Sequence, residues 1–174
     1  MREREKEGKL DMYYCDESGF SLESSVPYAW QKKGEEILLP AEMNRSRINV
    51  FGLLSLKSGF QSYKTEERVN SEKWIQWIDN FSSKIKKETV LILDNSPIHK
   101  SKASRAKIEE WKTKGLFIYF LPTYSPELNL IEIVWRFIKY LWIPFSAYIN
   151  FNSLKQALNE ILNSINTKHH ISFV

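Results

Sequence analysis

The sequence predicts a mixed α/β domain: a five-stranded sheet, three antiparallel strands followed by two parallel ones, flanked by helices. Two observations carry this. The first third of the chain holds alternating strand patterns linked by a hairpin, whereas 89–94 and 116–121 are short, continuously apolar runs, as parallel strands covered on both faces require. Helical periodicity separates and follows those two runs, and parallel neighbours need such crossover connections. The expected order is β-β-β-α-β-α-β-α-α.

Residues 1–10 are dominated by charge and read as a flexible segment. DMYYCDESGF (11–20) alternates, with Met12, Tyr14 and Asp16 on one face and Tyr13 and Cys15 on the other; the strand is expected to end at Asp16 before a Ser18-Gly19 turn. Residues 22–47 lack periodicity and carry Pro27, Gly34 and Pro40, a long excursion of the kind that usually has a task. INVFGLLSL (48–56) and GFQSYKTE (59–66) form a hairpin across Lys57-Ser58. Trp74, Ile78, Phe81 and Ile85 make one stripe of a helix over 71–86.

After the strand TVLILD (89–94), Ser96 and Pro97 read as N-cap and first residue of a helix that stops at Gly115. LFIYFL (116–121) is closed by Pro122, another helix starts at Pro126 or Glu127, and a last one over 153–165 repeats Leu154, Leu158, Ile161 and Ile165. One domain therefore spans 11–166, with 22–47 as its insertion and 167–174 as a tail.

Composition agrees. Of 174 residues, 43% are hydrophobic and 14% aromatic, enough for one packed core. No apolar run reaches a membrane span, and MREREKEGK holds no signal-peptide core, so no membrane partner is expected. The single cysteine, Cys15, excludes an internal disulfide, suits a reducing cytoplasm and reads as a buried small hydrophobe. Net charge is only +4, but Pro97 to Lys114 holds six Lys/Arg against two Glu, a pattern that suits phosphate contact or an ordinary solvated helix face.

Three carboxylates stand in awkward places. Asp94 ends a buried strand, where ligands of open α/β sheets gather, or else it caps the next helix. Asp16 shares a face with Met12 and Tyr14, or else it is a turn residue; Glu17, one residue on, is a secondary candidate. Glu132 falls between Leu128 and Trp135 of the stripe Leu128, Ile131, Trp135, Ile138, on the core-facing side of its helix, or else it reaches water at the boundary. Hard oxygen donors without zinc-type spacing suit Mg²⁺ or Mn²⁺, and a pair of such ions can drive phosphodiester chemistry.

CDESGF, LILDNSPIHKS and LPTYSPELNLIEIVWRFIK resemble the three signature blocks of DDE transposases of bacterial insertion sequences in the mariner-like superfamily, and the likeness covers about Met12 to Trp142. YAWQKKGE (28–35) resembles that group's Trp-x-x-x-Gly insertion, with Trp30 as its aromatic residue; Leu130 and Ser96 depart from the commoner Pro and Ala. The resemblance implies a ribonuclease-H-like fold and Asp16, Asp94 and Glu132 as a catalytic triad holding Mg²⁺ or Mn²⁺, two ions in all. It further implies cleavage and strand transfer at transposon ends, double-stranded DNA as partner, a homodimer on DNA, and a bacterial, nucleoid-associated location; 22–47 either clamps the second subunit or folds over its own sheet.

His99 and Asn95 fall within the second block as possible auxiliaries, His99 either orienting a scissile phosphate, lying on the surface of the helix start or supporting a ligand from behind. Arg45, Arg47, Lys100, Lys102, Arg105, Lys107 and Lys139 are candidates for DNA phosphate. Tyr124 and Ser125 read as turn residues, and His169 and His170 as part of the tail. Members of the group carry helix-turn-helix modules before the catalytic domain, and 15 residues precede Asp16, so a catalytic half is expected, with end recognition residing elsewhere. Two other readings stay open: an inactive DNA-binding or assembly remnant, and a ribonuclease-H-like nuclease.

Overall fold

The structure, a computed structural model, describes residues 1–23, 32–34, 46–123, 125–169 and 171. Five strands form one sheet in the order β3-β2-β1-β4-β5. They are β1 (Asp11–Ser21), β2 (Arg47–Ser55), β3 (Gly59–Thr65), β4 (Thr89–Leu93) and β5 (Leu116–Phe120). The β1–β2 and β2–β3 pairs are antiparallel and the β1–β4 and β4–β5 pairs parallel, as the patterning predicts.

The alternation in β1 sorts the core into two layers. Met12 and Tyr14, with Val50, Leu54, Val90 and Ile92, face α4 (Ile131–Phe137) and α5 (Phe151–Ser164), where Trp135, Leu154 and Leu158 bury themselves. Tyr13 and Cys15, with Phe51, Leu53, Leu91 and Leu93, face Trp74 and Ile78 of α2 (Ser71–Ser82) and Trp111 of α3 (Lys102–Thr113). Cys15 is a free, buried thiol, as expected of a small hydrophobe, and burial pushes its pKa up. Two of these helices brace each other: Trp111 Nε1–H donates to Asp79 Oδ1 at 2.7 Å, and Lys107 Nζ lies 3.0 Å from Asp79 Oδ2.

Helix ends follow local chemistry. Asn70, Ser101 and Asn150 cap α2, α3 and α5, each side-chain oxygen accepting a backbone N–H three residues on. Gly115 stops α3 with φ +86, a left-handed conformation that favours glycine.

Several boundaries differ from expectation. The first ten residues contain a short helix, α1 (Arg2–Lys6), with Arg4 paired to Glu88 at 2.5 Å. The Ser18-Gly19 turn is absent: β1 runs straight through to Ser21 because β2 pairs with it from Tyr14 to Ser21. Ser96 and Pro97 do not start α3; a turn over 97–100, with the His99 and Lys100 N–H groups on the Ser96 carbonyl, intervenes, and the cap is Ser101. The fourth helix begins as a 3₁₀ turn, Pro126–Leu128, before α4 proper, then widens into a π-helical segment, Ile138–Trp142. Leu128 is consequently 47% exposed and leaves the buried stripe, while Ile131, Trp135 and Ile138 keep it.

His169 stacks on Trp142 with ring centroids 4.4 Å apart, so the tail turns back onto the domain there. His170, Tyr124, Trp30, Arg45 and most of the 22–47 excursion lie outside the described residues. No described helix is long and apolar enough to cross a membrane.

Candidate active site

Asp16, Asp94 and Glu132 come from three elements near one end of the sheet, close enough for Glu132 and Asp94 both to raise the Asp16 pKa. The parallel register pairs Tyr14 with Ile92, so two residues further along both chains Asp16 lies level with Asp94, just past the end of β4. Asp16 therefore does not end its strand, as the sequence suggests; it sits within β1, opposite Gly52 of β2. Glu132 occupies the first turn of α4, half-buried, where the helix dipole favours a carboxylate. Asp94 and Glu132 line one cavity of about 360 Å³, together with Asn95, Ser125 and Asn129.

Gly52 explains how α4 comes so close. A Cβ there would meet Ile131 Cδ1 at 2.6 Å and the Trp135 ring at 2.7 Å. The absent side chain lets the indole settle against the sheet, where Trp135 Nε1–H donates to Asp16 Oδ2 at 3.0 Å. Burial, then the charge of Glu132, push the Asp16 carboxyl up to about 8; Asp94 adds to the rise, and hydrogen bonds from Glu17 backbone and Trp135 oppose it.

Asp94 is tuned the other way. His99, only 1% exposed, lies with Nδ1 2.9 Å from Asp94 Oδ1, and the Ser96 N–H donates to the same oxygen at 3.1 Å. An ionised carboxylate only accepts, so Nδ1 carries the proton. The His99 bond is the main cause that holds the Asp94 carboxyl below its usual range, ahead of the opposing effect of burial. The His99 ring packs 5.0 Å from the Trp74 ring, buried behind the carboxylate rather than facing a bound phosphate. Asp94 also anchors the turn at Ser96 but caps no helix, since Ser101 caps α3. Asn95 donates from Nδ2 to the Leu121 carbonyl and so ties the end of β4 to the end of β5.

Glu17 points to the opposite sheet face. Its Oε2 is buried without a hydrogen-bond partner among the described residues, and burial raises its pKa against the pull of His99 and Arg47. Among the described residues no three of Asp, Glu, His and Cys are closed into a ready metal-ligand cluster. The three carboxylates are neighbouring charges without a closed ligand set: Glu132 and Asp94 both act on Asp16, while Asp16 leans on Trp135 and Asp94 on His99. The donor set is nonetheless all hard oxygen, and the repulsion from Glu132 and Asp94 that adds to burial in raising the Asp16 pKa is what a divalent cation relieves.

The basic candidates divide. Lys139, two turns beyond Glu132, is half-buried with Nζ 5.5 Å from the centre of the Phe20 ring; burial lowers its pKa while Glu132 raises it. Arg47 is exposed and lies across Gly19, where a Cβ would come within 1.8 Å of its Nε. Lys102 and Arg105 are exposed on α3, and Lys100 Nζ lies 5.3 Å from the centre of the Phe120 ring. Lys107 has its ammonium engaged by Asp79 and by Glu110 Oε2 at 2.8 Å, which braces α3. Sequence reasoning missed Gly52, the Trp135 N–H and Asn129. Asn129, three residues before Glu132 and only 2% exposed, gave one signal, an amide beside an apolar helix start.

No curated protein matches the sequence. Among solved structures, the Mos1 strand transfer complex superposes with a TM-score of 0.56 at 19% identity, over 94% of this chain and 50% of that one. The Mos1 mariner paired end complex with Mn gives 0.61 at 16% identity, over 93% and 51%. The HTLV-2 integrase catalytic core domain, in complex with magnesium in a dimeric form, gives 0.55 at 15% identity, over 92% and 89%. These likenesses establish the ribonuclease-H-like fold shared by transposase and integrase cores, and the chain spans about half the length of the Mos1 protein. A family model described as DDE superfamily endonuclease matches residues 11–155, and with that the chain belongs to the DDE superfamily endonucleases.

Proposed function

We propose that this chain is the catalytic core of a mariner-like transposase from a bacterial insertion sequence, cutting transposon-end DNA and joining it to a target. The observation that supports this best is the meeting of Asp16, Asp94 and Glu132, distant in sequence, as interacting charges at one end of the sheet. Asp16, Asp94 and Glu132 would hold Mg²⁺ or Mn²⁺, two ions in all. Such ions, when bound, activate a water or hydroxyl and stabilise the leaving oxygen of a phosphodiester.

The side chains have distinct parts in this reading. His99 and the Ser96 N–H both bond Asp94 Oδ1, which fixes the carboxylate and keeps it ionised. Trp135 Nε1–H, donating to Asp16 Oδ2, would hold that carboxyl in place. Glu132 is carried on a helix anchored by Ile131, Val134 and Trp135, all buried, so its position is set by packing. Hydrolysis of one phosphodiester leaves a 3′-hydroxyl, and attack of that hydroxyl on target DNA exchanges one phosphodiester for another. Arg47, Lys139, Lys100, Lys102 and Arg105 would contact backbone phosphate, which positions DNA without reading its sequence. A second copy of the chain, engaged through the 22–47 segment, and a helix-turn-helix region would complete the assembly in the bacterial nucleoid.

The test uses a labelled DNA duplex bearing transposon ends. Cleavage is expected with Mn²⁺ or Mg²⁺ and none in chelator. Binding by this chain alone is expected to be weak and to fall by about 100-fold between about 50 and 200 mM salt, as a footprint of a few phosphates does. Cleavage that persists in chelator, or tight sequence-selective binding at high salt, contradicts the proposal.

A further inference from the structure

Asn129 stands at the joint between the strand that carries Asp16 and the helix that carries Glu132. Its Nδ2 donates to the carbonyl of Cys15, the residue before Asp16, at 3.1 Å in a buried setting. Tyr14 is the last residue of β1 paired with β4, so this bond is made where that ladder has stopped. In the other direction, the Asn129 backbone carbonyl accepts the Glu132 N–H at 3.0 Å, opening the first turn of α4. One residue thus touches the immediate surroundings of two carboxylates that lie far apart in sequence.

The amide's orientation is dictated by chemistry. A carbonyl only accepts, so the NH₂ end must face Cys15 and the oxygen must face away. That oxygen, Oδ1, is buried and finds no hydrogen-bond partner among the described residues, although Asn129 lines the cavity shared by Asp94 and Glu132. A buried acceptor left unpaired is destabilising, typically by about 1–3 kcal/mol, and is retained where something else is gained. An apolar residue of similar size would fill the space without that penalty; only a side chain with a donor can hold the Cys15 carbonyl.

We propose that Asn129 is a positioning residue that sets the separation of Asp16 and Glu132, and through it the affinity of the acidic site for divalent cation. The inference rests on the cation-binding reading given above. It concerns a residue acting through the strand and the helix that it ties together.

The experiment measures Mn²⁺ binding to the intact chain, by the loss of the free-ion electron paramagnetic resonance signal, alongside thermal melting. Asn129→Ala is expected to weaken Mn²⁺ binding by about 10- to 100-fold, as loss of supporting groups around a metal site does. Asn166→Ala is the control. Asn166 is another cross-linking asparagine, bonded to both the Phe60 N–H and carbonyl at 2.7 and 2.8 Å on β3, away from the carboxylates. It is expected to lower the melting temperature while keeping Mn²⁺ affinity within about twofold. If Asn129→Ala does not fold, Asn129→Ser, which keeps a small polar group but cannot span to Cys15, takes its place with the same expectation. Wild-type affinity in the Asn129 variant, or an equal loss in Asn166→Ala, overturns the inference while the cation-binding reading stands. No Mn²⁺ binding by the wild-type chain overturns both.

Discussion

Asp16→Asn and Asp94→Asn are each expected to abolish metal-dependent DNA cleavage, yet to change the stability of the metal-free protein in opposite directions. Loss of groups that merely support a metal site weakens metal binding or activity by about 10- to 100-fold, and loss of a ligand oxygen should exceed that. The stability effects follow from how the fold tunes the two groups. Asp16 is pushed up to about 8 from an ordinary value of 3.8, so between those values the folded chain retains a proton that the unfolded chain has released. Stability in chelator therefore falls as pH rises from about 4 to about 8, and levels off once both states are ionised.

Asp16→Asn cannot ionise and is expected to lose that dependence, melting about 5–10 °C above wild type at pH 8.5 in chelator. Asp94→Asn keeps an oxygen for the His99 N–H but loses the charge that strengthens the bond, so it melts slightly lower. Saturating Mn²⁺ should restore the wild-type melting temperature most at alkaline pH. Melting curves at several pH values, with and without Mn²⁺, check all of this; a wild-type protein equally stable in chelator at pH 5 and 8.5 contradicts it.

Gly52→Ala is expected to damage both the core and the acidic site. The added methyl would meet Ile131 Cδ1 at 2.6 Å and Trp135 Cη2 and Cζ2 at 2.7 Å. The Ile131 tip can turn aside, but the Trp135 ring is 2% exposed, wedged edge-on against Phe20 and Phe60, with ring centroids 6.3 and 5.8 Å away. Overpacking of this kind destabilises by about 1–3 kcal/mol, which corresponds to a drop of roughly 3–10 °C for a domain of this size. Because the same ring bonds Asp16 and the same helix carries Glu132, Mn²⁺ affinity should fall with stability. Denaturant unfolding and Mn²⁺ titration of the variant measure the two effects; unchanged Mn²⁺ affinity in a folded Gly52→Ala protein would show that the indole does not set the site.

What the sequence disclosed, and what it hid, divides along physical lines. Side-chain alternation in a strand has a period of two, so Met12, Tyr14 and Asp16 could be assigned to one face from spacing alone. The parallel strands announced themselves as continuous apolar runs, although only β4 is buried throughout, β5 being an edge strand with Tyr119 45% exposed. Where β1 stops could not be read, because that is decided by β2, which pairs with residues 14–21 from the far side of the excursion. The same holds for His99, which looks like a surface residue of a helix start; a turn at 97–100 instead tucks it behind Asp94.

The stripe through Leu128 failed because a short 3₁₀ turn precedes α4, and a threefold turn rotates residues off a 3.6-residue face. Gly52, the Trp135 N–H and the Asn129 tether act through tertiary neighbours, Asn129 reaching Cys15 across most of the chain, so no local pattern reveals what they touch. Lys107 shows the converse limit: a basic residue in a basic stretch, already committed to Asp79 and Glu110.

Diffraction from crystals of the chain soaked in Mn²⁺, recorded for its anomalous signal, locates the ions without reference to activity. Manganese peaks are expected at the end of β4, bounded by oxygens of Asp16, Asp94 and Glu132, with the Asp16 and Asp94 side chains turned toward them. Peaks elsewhere on the molecule, or none between these three residues at millimolar Mn²⁺, would contradict the proposal that this acidic end of the sheet is where DNA is cut.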